Sequence, residues 1–153
     1  MLTTMKMRKH SRPFSDEELG WLTDILKAYS ATAAGAWLDD VDYLKCEYRW
    51  CDAMDADSGI LGARPLFGKD IYLAPNPNGS TLPEAQKFWI ESISPIAVHE
   101  LRHLWQQGVY GKVLWSIMRL PECLPFLYGK VFIERDAFDI QEEAESIIGR
   151  LHL

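Results

Sequence analysis

Residues 99 to 103 read His99-Glu100-Leu101-Arg102-His103, two imidazoles four positions apart with a carboxylate beside the first. On a helix, positions i and i+4 share a face, so both rings can reach one ion while Glu100 projects beside them, close enough to hold a metal-bound water. Neutral imidazole suits Zn²⁺, the metal lowers the pKa of its water, and the carboxylate can accept the proton and hand it to a leaving amine. Four His and 11 Glu scattered over 153 residues would produce roughly 0.006 such HExxH patterns by chance. The pattern therefore points to a metal site.

A catalytic zinc needs a third protein ligand and an open position. The HExxHxxGxxH continuation is absent, because Gln106 and Val109 stand where its Gly and His would be. The candidates lie downstream, in residues 132–139, where acidic side chains sit among small and apolar neighbours at the start of a last helix. Glu134 is the first choice, with Asp136, Asp139 and His152 as open alternatives.

These residues need elements to hold them. Ser15 followed three residues later by Glu18 is a capping box, and Leu19, Leu22, Ile25, Leu26 and Tyr29 recur at helical spacing, which predicts a helix over 16–33. Leu44, Cys46, Tyr48 and Trp50 then alternate with Lys45, Glu47 and Arg49, the period of a half-buried strand. Two short strands over 60–67 and 70–74, joined at Gly68-Lys69, make a candidate hairpin, with Pro65 marking an edge or a bulge. A helix over 83–93 is expected to restart at Ser94-Pro95, with Ser94 as N-cap, and to end near Gly108. A short helix over 113–120 and a long one over 130–151 follow, the latter burying Val131, Phe138, Ala144, Ile147, Ile148 and Leu151. The order is helix, small sheet, helices, which is α+β.

Composition narrows the class. With 153 residues and 48% apolar side chains the chain suits one globular domain, over 15–153, preceded by a flexible basic end over 1–14 that carries Lys6, Arg8, Lys9 and Arg12. A net charge of −6 argues against nucleic acid as a partner. The richest apolar stretch, 109–127, is interrupted by Lys112, Arg119, Pro121, Glu122 and Pro125, so no membrane span is expected. The basic end leads into Ser15-Asp16-Glu17-Glu18 rather than an apolar run, unlike a signal peptide. Cys46, Cys51 and Cys123 form no CxxC pair and fit reduced thiols, so a cytoplasmic location is expected. Arg102 should form a salt bridge with a nearby acid, and the aromatic group Trp105, Tyr110, Trp115 and Phe126 should pack in the core.

With its HExxH helix, the small sheet before it and an acidic helix after it, the chain resembles a small zincin metallopeptidase of the gluzincin kind. That resemblance implies a zincin-like α+β fold: an N-terminal helix, a small twisted mixed sheet, the HExxH helix and a C-terminal ligand-bearing helix. It implies His99, His103 and Glu134 as Zn²⁺ ligands, Glu100 as general base, and residues 70–74 as the edge strand that binds a protein or peptide substrate as an added strand. Two positions depart from the pattern. Phe138 stands where the better-known gluzincins place an Asp that orients a zinc-bound His, which leaves Asp136, Asp139 or a backbone carbonyl for that task. The residue that steadies the oxyanion is not assigned either, its pool being Tyr110, Tyr128 and His152. The expected activity is hydrolysis of a peptide bond through a zinc-activated water. A non-catalytic zinc-binding interaction protein and a zinc hydrolase acting on a non-peptide amide are the alternatives.

Overall fold

The computed structural model describes residues 4–54, 61–64, 68–118 and 128–151. Ser15 caps the helix α2 (Asp16–Ser30) as its spacing predicts: the Glu18 N–H donates to Ser15 Oγ at 3.1 Å, and the Ser15 N–H donates back to Glu18 Oε1 at 2.9 Å. The other Glu18 oxygen accepts from Trp50 Nε1 at 3.1 Å and Gln86 Nε2 at 2.6 Å, so one capping carboxylate ties this helix to the sheet and to the helix that follows. Leu22, Ile25, Leu26 and Tyr29 form its buried stripe.

Burial works to raise the Glu18 pKa, but the donors from Ser15, Gln86 and Trp50 outweigh it and hold the group below the usual carboxylate range. Its contribution is therefore fully present above that range and drains away as pH falls towards the folded value. Glu18→Gln should cost about 1–2 kcal/mol at neutral pH and flatten the acid limb of stability, as read by denaturant melts between neutral and acid pH.

Four strands form one mixed sheet in the order β1 (Ser11–Pro13), β2 (Glu47–Cys51), β4 (Asp70–Leu73), β3 (Gly62–Ala63). The β1–β2 and β3–β4 pairs are antiparallel and β2–β4 is parallel, with Tyr48 opposite Ile71 and Gly62 opposite Leu73. The basic end expected to be flexible carries the helix α1 (Thr4–Lys9) and β1. Met7 is buried there, and Arg8 reaches Glu47 at 3.1 Å and Asp70 at 3.3 Å, so apolar burial and opposite charge tether it. The strand predicted from Leu44 begins only at Glu47, because residues 43–45 form a 3-10 turn that puts Tyr43 in the core and leaves Leu44 55% exposed. Of the stretch 60–67, only Gly62 and Ala63 are strand among the described residues. Their pairing with β4 keeps the expected hairpin but makes β4 an interior strand, so the edge beside the helices is β3 and not residues 70–74.

The helix α3 (Pro83–Met118) passes through Ser94-Pro95 without restarting. Pro95 has no N–H to give the Glu91 carbonyl one turn back, and Ser94 Oγ donates to that carbonyl at 2.8 Å instead, so the serine repairs the ladder rather than capping a new helix. The helix also runs past Gly108. Its break is at Gly111, whose φ of 77° and ψ of 159° suit glycine and turn the chain before residues 112–118. The last helix, α4 (Tyr128–Arg150), packs along α3 and buries Ile133, Ala137, Ala144 and Ile148. Phe138, expected in that stripe, is 56% exposed. The core lies between the sheet and α2 and α3, around Trp50, Tyr29, Ile71, Leu73, Ile90 and Ile93. No helix among the described residues is long and apolar enough to cross a membrane.

Candidate metal centre

Helical spacing places His99 and His103 one turn apart on the face of α3 that meets α4, and both are buried. Glu134, nearly two turns into α4, reaches both of them. His103 Nε2 lies 2.8 Å from Glu134 Oε1, His99 Nε2 lies 3.6 Å from Glu134 Oε2, and the two Nε2 atoms are 3.2 Å apart. Donors on a tetrahedral zinc with bonds of about 2.0–2.1 Å would stand roughly 3.3 Å from one another. The three side chains therefore fit a divalent cation in both chemistry and spacing, and they are the one such group among the described residues. Of the alternative candidates, Asp139 is exposed, Asp136 faces Arg102 and His152 lies outside the described residues.

The electrostatics suit the same reading. Burial would raise the Glu134 pKa, but hydrogen bonds and charge from His103 and His99 hold it far below the usual carboxylate range. Burial opposes protonation of His99, yet Glu134 and Glu100 overcome it and raise its pKa. Burial raises the pKa of Glu100, and the neighbouring Glu134 adds to that rise against the opposing His103, His99 and Arg64. Glu100 is thus shifted towards the range in which a carboxylate can take a proton.

The centre opens into a cleft of about 370 Å³ lined by Leu61, Gly62, Ile96, His99, Glu100, Glu134, Phe138 and Gln141. Hollows of about 390 Å³ beside Glu91 and Glu145 and about 440 Å³ beside Asp40 and Trp105 contain no comparable ligand group among the described residues. The edge strand β3 forms one wall. A Cβ on Gly62 would stand 2.6 Å from Ile96 Cγ2 and 3.4 Å from Glu100 Oε1, so the strand can lie this close to the HExxH turn only as glycine. Gly62→Ala is expected to cost about 1–3 kcal/mol by overpacking, seen in thermal unfolding, with metal uptake retained.

Phe138 occupies the position of the expected orienting Asp. Its ring packs edge-on against His99 at 4.6 Å between centroids, which offers no polar partner. His99 Nδ1 is accordingly buried without a hydrogen bond, and Gln141 adds to the rise in this ring's pKa. For His103 the partner is a residue that no motif singles out. Gln106 is fully buried, with Oε1 at 2.9 Å from His103 Nδ1 and Nε2 at 2.9 Å from the Ile133 carbonyl and 2.8 Å from Asp136 Oδ2. Its one signal in the sequence is its spacing, three residues after His103 on the same helical face. Asp136 is joined to His103 through the Gln106 amide. It pairs with Arg102 at 2.7 and 3.2 Å, as the expected salt bridge requires, and the guanidinium lies 3.7 Å from the Trp105 ring centroid. Trp115 is buried beside His103, at 5.7 Å between rings, while Phe126 lies outside the described residues. Of the oxyanion pool, Tyr110 is half-buried, and the Tyr128 side chain and His152 lie outside the described residues. Cys46 is a buried thiol whose pKa burial pushes up to about 11, which makes it a poor ligand.

No protein-family model matches the chain, and no curated protein or solved structure matches it either.

Proposed function

We propose that the chain is a zinc-dependent metallopeptidase with a zincin-like fold of the gluzincin kind, acting on a protein or peptide substrate. The observation that carries this reading is the convergence of His99, His103 and Glu134 on one point, with the buried Glu100 beside them in a cleft. A bound zinc ion would supply Lewis acidity there and lower the pKa of a water. Glu100 has the place and the raised proton affinity to act as general base and then to return the proton to the leaving amine. The edge of β3 offers main-chain groups to an extended substrate, which would lie across the cleft as an added strand. Cys46 and Cys51, both buried free thiols, suit a reducing compartment, and the cytoplasm is the location we infer.

The test is elemental analysis of the purified protein followed by cleavage of a peptide library, before and after chelation and zinc restoration. One equivalent of zinc with chelator-sensitive cleavage supports the reading. Zinc without cleavage favours a binding protein, zinc with cleavage of non-peptide amides alone favours the other hydrolase, and a protein that takes up no zinc ends all three.

A further inference from the structure

The Gln106 amide has only one arrangement that satisfies its neighbours. Its nitrogen carries two protons and no lone pair to share, and it faces two acceptors, the Ile133 carbonyl and Asp136 Oδ2. Its oxygen must then face His103 Nδ1, 2.9 Å away, and accept the proton there. His103 thus carries a proton on Nδ1, and Nε2, 2.8 Å from Glu134 Oε1, is the nitrogen left to a metal ion, which would displace any proton shared there with the carboxylate. The second hydrogen bond works on the other ligand, since Ile133 is the residue before Glu134 and its carbonyl fixes the backbone from which that carboxylate extends. Asp136 is in turn immobilised by Arg102, which packs against Trp105. A single buried amide therefore joins the two ligand-bearing helices at the points where they contribute donors.

We propose that Gln106 is the positioning residue of the metal centre, orienting His103 and setting the register of Glu134 so that both meet one ion. This rests on the metal-centre reading above. The amide chemistry explains why neither of the acidic candidates is needed at His103: a carboxylate in place of Gln106 would turn an acceptor towards Asp136 and the Ile133 carbonyl, whereas an amide serves all three neighbours.

The test measures zinc affinity by competition with a chromophoric chelator, alongside melting of the metal-free protein. Gln106→Met keeps the volume and loses all three hydrogen bonds. It should weaken zinc binding by about 10–100-fold, with His99, His103 and Glu134 all still present. Asp136→Ala leaves His99, His103 and Glu134 in place but frees the amide to turn, and it should weaken zinc in the same direction by a smaller factor. Combined with Gln106→Met in a double variant, Asp136→Ala should add no further loss of affinity. A purely architectural role would lower melting and leave zinc affinity unchanged in both single variants, which would overturn the proposal. If Gln106→Met does not fold, Asp136→Ala decides alone: unchanged affinity overturns the proposal and weakened affinity supports it. A wild-type protein that binds no zinc instead overturns the metal-centre reading itself, so the two failures are distinct.

Discussion

Glu100→Gln is expected to retain one equivalent of zinc and an unchanged or higher melting temperature, while peptide hydrolysis falls by about 10²–10⁴-fold. The amide fills the same volume between His99, His103 and the β3 wall, so the cleft keeps its shape. What disappears is the only described carboxylate in the cleft besides Glu134, and with it the group that can hold a proton during the reaction. Stability should not suffer, because burial and the charge of Glu134 oppose ionisation of Glu100, and a neutral side chain escapes that cost. The measurement pairs metal content with turnover on a library-derived peptide. Undiminished turnover in the zinc-loaded variant would remove Glu100 from the mechanism.

Glu134→Ala acts on the opposite half of the problem. Both histidines remain, one turn apart on a helix, but the third donor goes, and with it the carboxylate 2.8 Å from His103 and 3.6 Å from His99. Zinc affinity should fall by more than about 100-fold, the upper end of what changes outside the ligand set itself cost, and hydrolysis should follow it. Dialysis against buffered zinc with elemental readout checks this. Full occupancy in the variant would move the third ligand to another residue. Together the two substitutions separate a group that holds metal from one that moves protons.

Much of this was legible because it is local. The capping box at Ser15 and Glu18, the helical spacing of His99 and His103, and the Arg102 salt bridge all depend on residues whose relation is set by a regular element. Glu134 was reachable as a candidate because it stands among small and apolar neighbours on a helix that must pack against the HExxH helix. What local pattern misled was partnership at a distance. The Leu44 alternation continued on paper past the point where Tyr43 takes the buried place, and Ser94-Pro95 has the composition of a helix start but serves as a mid-helix repair. The edge position of β3 depends on which strand lies outside β4, a tertiary fact that two strand residues cannot announce. Gln106 escaped because a glutamine carries no charge or metal affinity to draw attention, and its role exists only once Ile133 and Asp136 are brought beside it.

The three donors come from helices that follow one another in the chain, while the wall facing them is the rim of a sheet whose central pairing is parallel. Defects should therefore sort by phenotype in a random mutant library. Loss of metal and cleavage together marks damage to the donor-bearing turns of α3 or α4, whereas cleavage lost from a fully metallated protein marks damage to Glu100 or around β3 and β4. On the metallopeptidase reading, that division would let the β3 side of the cleft be mapped with generic peptides.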